Sequence, residues 1–147
     1  MRIIVIDDCS DELRKAVGAV EAAGHEVISF SDCKSRYPNP DVWEQMADAD
    51  GVITDLYFNP KRSNDRVMEE YSRNTPPMGL VVALHALHIG KPVVICTSGD
   101  HHGSQLSFVF DAYVSPTSRK IGFGWEEDKD WARAVKMLEQ GAKSTWD

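Results

Sequence analysis

The sequence predicts an α/β fold, a doubly wound five-stranded parallel sheet with helices on both faces. Three observations carry this. Short runs rich in Ile and Val recur along the chain, as in strands buried on both faces. Stretches with apolar residues at helical spacing lie between them. Glycine and proline punctuate the boundaries. Regular alternation of strand and helix implies parallel strands joined by helical crossovers.

Arg2 to Ile6 is the first strand. Ser10 is placed to cap a helix that opens with Asp11 and Glu12, acids suited to the positive end of a helix dipole. Leu13, Val17 and Val20 repeat at helical spacing, and Gly24 stops that helix. Glu26 to Phe30 reads as a second strand, and a short helix carries Val42, Trp43 and Met46. Gly51 to Leu56 is the third strand, with Asp55 at its end. Residues 57–77 are polar, charged and proline-rich, and read as a long loop. Gly79 to His88 is a helix with Leu80, Leu84 and Leu87 on one face, stopped by Gly90. Pro92 to Thr97 is the fourth strand, Gln105 to Phe110 a weak helix, and Ala112 to Val114 a short fifth strand. Glu126 to Gln140 is the last helix, with Trp131, Val135 and Leu138 inward and Gly141 as its stop.

The 147 residues fit one domain, long enough to bury a core without staples. A net charge of −7 argues against non-specific binding to nucleic acid or to an anionic membrane. Cys9, Cys33 and Cys96 form no metal-type pair and read as free thiols of a reducing compartment. The first residues, MRIIVIDD, are too acidic for a secretory signal, and no apolar run approaches the roughly 20 residues of a membrane span. A cytoplasmic protein is expected.

In such sheets ligands sit beyond the carboxyl ends of the strands. Asp7 and Asp8 end the first strand, Asp55 the third, Thr97 and Ser98 the fourth, and Tyr113 lies near the end of the fifth. Strands one and three are usually neighbours, so three carboxylates converge. They repel one another unless a cation sits among them, and Mg²⁺, which takes oxygen ligands and retains waters, suits them best. The plainer alternative is that Asp7 and Asp8 cap the first helix and Asp55 begins a turn.

These segments resemble the receiver domains of response regulators. IIVIDD is similar to the first receiver strand with its acidic pair, and ITDL to the strand that ends on the phosphoacceptor, here Asp55. MGL resembles the start of the third receiver helix. KPVVICTSGD resembles the fourth strand with Thr97 as switch hydroxyl, and DAYV the fifth with Tyr113 as switch aromatic. The resemblance implies a flavodoxin/CheY-like sheet of order 2-1-3-4-5. It further implies phosphoryl transfer from a histidine kinase or phosphotransfer protein to Asp55. Mg²⁺ would be held by Asp7, Asp8, Asp55 and the backbone carbonyl of Tyr57. A downstream protein would be bound by a monomer or homodimer.

Two features depart from the receiver pattern. Receivers carry a lysine before a proline after strand five, whereas YVSPTSRK places Ser115 before Pro116. Lys120 or Arg119 would have to reach back in its place. The second departure is an insert at about 61–77, which contains Lys61, Arg62, Arg66 and Arg73. His85 and His88 share a helix face without an evident third ligand, and His101 and His102 read as a polar loop near the pocket. The last helix ends close to the terminus, so a stand-alone signalling protein is expected. The missing lysine keeps open a phosphorylation-independent pseudo-receiver that only binds partners. A Mg²⁺-dependent phosphohydrolase lacks the second acid expected near Asp55.

Overall fold

The computed structural model describes residues 1–32, 41–58, 77–98 and 122–142. Five strands form one parallel sheet, β1 (Arg2–Ile6), β2 (Glu26–Phe30), β3 (Gly51–Thr54), β4 (Val93–Cys96) and β5 (Phe123–Glu126), in the order β2-β1-β3-β4-β5. This is the expected doubly wound sheet. Four helices accompany it among the described residues, α1 (Ser10–Ala22), α2 (Val42–Asp48), α3 (Met78–His88) and α4 (Trp131–Glu139).

The pleat sends alternate side chains of each central strand to opposite faces. Ile4, Ile6, Val52, Val93, Ile95, Phe123 and Trp125 pack against Val42 and Met46 of α2 and Val82, Ala83 and Ala86 of α3. On the other face, Ile3, Val5, Ile53, Val94 and Cys96 meet Ala16 and Val20 of α1 and Trp131, Val135 and Leu138 of α4. Two-sided burial is why β1, β3 and β4 read as unbroken apolar runs.

The structure corrects the sequence expectations in four places. The strand paired with β4 is Phe123–Glu126, not Ala112–Val114. The last helix therefore begins at Trp131, where the Asp130 side chain accepts from the Arg133 N–H, rather than at Glu126. The cap position of α1 is Cys9, which makes no side-chain cap bond, and Ser10 is already helical. In α3 the buried face is Gly79, Val82, Ala83 and Ala86, while Leu84 is exposed and Leu80 and Leu87 are half-buried. Small side chains bring α3 close to the sheet, and a helix apolar nearly all round offers no clear stripe to read.

Residues 59–76 contain nearly all of the proposed insert, and residues 99–121 contain the segment expected as a weak helix, 105–110, with Tyr113, Arg119, Lys120, His101 and His102. All of these lie outside the described residues, as does Cys33. No helix among the described residues is long and apolar enough to cross a membrane.

Candidate functional site

Parallel pairing brings the ends of β1 and β3 side by side, with Ile6 opposite Thr54. The Asp55 N–H donates to the Ile6 carbonyl at 2.8 Å, and the Asp7 N–H to the Phe30 carbonyl at 3.2 Å. Both acids therefore project past the carboxyl edge of the sheet. Carboxylate oxygens of Asp7, Asp8 and Asp55 all lie within 4.8 Å of one another, with Asp7 buried, Asp8 exposed and Asp55 between. The expected triad is assembled.

Local bonds fix the two inner acids. Asp7 Oδ1 accepts from the Cys9 N–H at 2.8 Å, an Asx turn that opens α1. Asp55 Oδ1 accepts from the Leu56 N–H at 2.8 Å. The start of α3 packs directly behind Asp55, where the Gly79 N–H donates to the Leu56 carbonyl at 2.9 Å. A Cβ at position 79 would sit 1.9 Å from the Asp55 carbonyl oxygen, so the backbone approach requires glycine.

One functional group was missed by sequence reasoning. The Lys129 ammonium lies 2.6 Å from Asp7 Oδ2 and 2.9 Å from Asp55 Oδ1, with only 16% of its side chain exposed. Its ammonium also sits 5.2 Å from the ring centre of Trp131, whose indole N–H donates to Glu12 Oε2 at 2.9 Å. A lysine does follow strand five. It was hidden because the strand itself was placed eleven residues too early. A signal was present in Asp130, a good helix cap immediately before the Trp131, Val135, Leu138 stripe. Starting the helix there would have freed FGWE to be a strand.

Electrostatics bear the stamp of crowding. Burial pushes the Asp55 carboxyl up to about 6, and the Lys129 charge and hydrogen bond oppose that rise while Asp7 adds to it. Burial would lower the Lys129 ammonium, but Asp55 and Asp7 outweigh it and raise the group. Thr97, directly after β4, is buried, and its backbone N–H donates to the Glu126 carbonyl at 2.8 Å. Tyr57 follows Asp55 by two residues with its side chain exposed.

Solved structures share this architecture. The chemotaxis protein CheY4 of Vibrio cholerae superposes with TM-score 0.56 at 15% identity, over 95% of this chain and 96% of that one. A two-component response regulator from Clostridium difficile gives 0.57 at 12%, over 97% and 93%. The chain has the CheY-like receiver fold. A transiently phosphorylated switch of bacterial signal transduction gives 0.56 at 19% identity, over 95% and 92%. At such low identity the likeness shows the receiver fold and no more. No family model matches the sequence, and no curated protein matches it.

Within the receiver fold, Asp7, Asp8 and Asp55 stand at the carboxyl edge and Thr97 ends the neighbouring strand, as expected. Tyr113 and Lys120 lie outside the described residues, and neither belongs to β5. Lys129, not Lys120, brings an ammonium to the carboxylates. His85 meets the Trp43 ring edge-on at 5.2 Å.

Proposed function

We propose that this chain is a receiver that accepts a phosphoryl group on Asp55 and signals by contact with other proteins. The observation that carries the proposal is Lys129 bridging Asp7 and Asp55 beside the carboxylate triad. A carboxylate oxygen of Asp55 attacks phosphorus. The bond from phosphorus to the donor, a histidine nitrogen or the acetate oxygen of acetyl phosphate, breaks with its electrons leaving on the donor. Among the described residues both polar contacts of the Asp55 side chain fall on Oδ1, which leaves Oδ2 for the attack. Lys129 supplies positive charge where the phosphoryl oxygens gather.

The donor set fits Mg²⁺. It consists of hard carboxylate oxygens. Asp7 Oδ2 is buried, and its contact among the described residues is the ion pair with the Lys129 ammonium at 2.6 Å. Asp7, Asp8 and Asp55 would hold the ion, with the Tyr57 carbonyl as a further ligand. Bound there, Mg²⁺ offsets charge on the transferring group. The Thr97 hydroxyl is proposed to bond a phosphoryl oxygen after transfer, with Tyr113 as the aromatic that responds to it.

The partner on the donor side would be a histidine kinase or phosphotransfer protein. The output partner would be a protein bound at the face that includes β4 and β5. The alternative is a phosphorylation-independent pseudo-receiver, and the Lys129 ammonium beside Asp55 supports phosphoryl acceptance over it.

The test is labelling by acetyl phosphate with and without Mg²⁺, followed by intact mass. One added phosphoryl group that requires Mg²⁺ and disappears in Asp55→Asn is expected. A folded protein that takes no label from acetyl phosphate or from any phosphohistidine donor would refute the proposal.

A further inference from the structure

Lys129 reaches the carboxylates by an unusual route. It lies three residues past β5, and its backbone has φ +56, a left-handed conformation that side-chain-bearing residues adopt rarely. Something must hold that turn. Glu126, the last residue of β5, is 2% exposed. Its carboxylate turns back and accepts from the Asp128 N–H at 3.1 and 3.3 Å and from the Asp130 N–H at 2.7 Å. These amides flank Lys129 on both sides. The Lys129 N–H itself donates to the Thr97 carbonyl at 3.2 Å, which ties the turn to the end of β4. Arg133, one turn into α4, approaches Glu126 Oε1 at 3.7 Å and Asp128 Oδ2 at 3.5 Å. The buried thiol of Cys96 lies 3.8 Å from Glu126 Oε2 on the other side.

A buried carboxylate that gathers backbone amides is costly to place and strongly specifying once satisfied. Here it fixes backbone amides before and after Lys129, the one lysine among the described residues shown to touch both acids. We propose that Glu126 is a positioning residue, whose carboxylate shapes the 126–130 turn so that the Lys129 ammonium is held between Asp7 and Asp55. The value of that position for phosphoryl transfer rests on the function proposed above. The positioning itself does not.

The experiment separates the two. Lysine-selective NMR of the full chain, without phosphodonor, reads the Lys129 ammonium directly, assigned by its absence in Lys129→Met. In the wild type a distinct, exchange-protected signal is expected. In Glu126→Ala it should collapse to the bulk lysine position, with loss of amide protection at Asp128 and Asp130. Glu126→Gln keeps one acceptor oxygen and should restore part of both. This milder variant carries the test if the alanine variant does not fold. The acetyl phosphate labelling rate should fall about tenfold or more in Glu126→Ala, since a shift of about 1 Å in a positioned group can cost that much. It should fall no further when Glu126→Ala is added to Lys129→Met. A Lys129 signal unchanged in a folded Glu126 variant, or losses of rate that simply add, would overturn the proposal. If no variant and no wild type takes label while the Lys129 signal still follows Glu126, positioning stands and the receiver function falls.

Discussion

Asp55 stands to make the fold less stable as it ionises. Its carboxyl is raised from 3.8 to about 6, chiefly by burial. For an acid raised in the folded state, the folded chain binds the proton more tightly than the unfolded chain. Between pH 3.8 and about 6 the folded state still holds a proton that the unfolded state has released. The contribution of this group to stability is therefore greatest below pH 4, falls as pH rises through 6, and is then level. At about 1.4 kcal/mol per decade, the loss comes to about 3 kcal/mol by pH 8. Asp55→Asn removes the titration and keeps an oxygen for the Leu56 N–H. Urea unfolding of both proteins, in EDTA at half-unit steps from pH 4 to 8, gives two stability curves. Their difference isolates this one group. Wild type should lose on the order of 3 kcal/mol relative to Asp55→Asn across that range, and saturating Mg²⁺ should reverse most of the loss. A difference curve that is level, or that rises with pH, would show that the carboxyl is not held against its burial and would refute the reasoning.

Three further outcomes follow from the same site. Lys129→Met leaves Asp7 and Asp55 facing each other without the ammonium that touches both. About 2–4 kcal/mol should be lost at pH 7 in EDTA, as when one partner of a buried pair is removed, and a loss under about 0.5 kcal/mol would class the contact with exposed pairs. Gly79→Ala forces a methyl against the Asp55 carbonyl, where it would stand at 1.9 Å. Thermal unfolding should show a loss of about 1–3 kcal/mol or more, and weaker Mg²⁺ binding by calorimetry should accompany it, while Gly18→Ala, with nothing near its Cβ, should be neutral or slightly stabilising. Trp131→Phe keeps a ring beside Lys129 but leaves Glu12 Oε2 without its indole donor. A loss of about 1 kcal/mol is expected, and an unchanged urea midpoint would discount that bond.

Most of the acidic edge could be read from the chain because each acid directly follows a strand with a plain signature. Val5, Ile6 and Asp7 run on without a break, as do Val52, Ile53, Thr54 and Asp55. Doubly wound topology then brings separate strand ends together without any need to know loop paths. β5 was hidden for a different reason. Phe123, Gly124, Trp125 and Glu126 hold a glycine and an acid in four residues, which weakens any strand signal. A Cβ on Gly124 would lie 3.1 Å from the Met137 and Val94 side chains, and the Glu126 carboxylate accepts from the Asp128 and Asp130 amides. DAYV looked more like a strand than the strand did. The exposed Leu84 misled similarly, because spacing cannot choose among faces when Val81, Val82, Leu84 and Leu87 are all apolar.

The site's charge balance ties its parts together. Among the described residues, Lys129 brings one ammonium to Asp7 and Asp55 of the carboxylate triad. Coulomb repulsion at such separations is too large to leave uncompensated where Asp7 is buried. Lys129 offsets one charge and is held to do so by a turn that a solvent-exposed lysine would not require. Asp55 itself has two further means of relief. One is a proton, which Asp55 takes up at about pH 6. The other would be a divalent cation, held as proposed above. Near neutral pH the proton is mostly released, so relief would fall to the cation, which would leave Asp55 ionised as the proposed nucleophile has to be. An ion that binds only the folded state would add stability as RT ln(1 + [L]/Kd), so the urea midpoint followed against Mg²⁺ concentration would read its affinity.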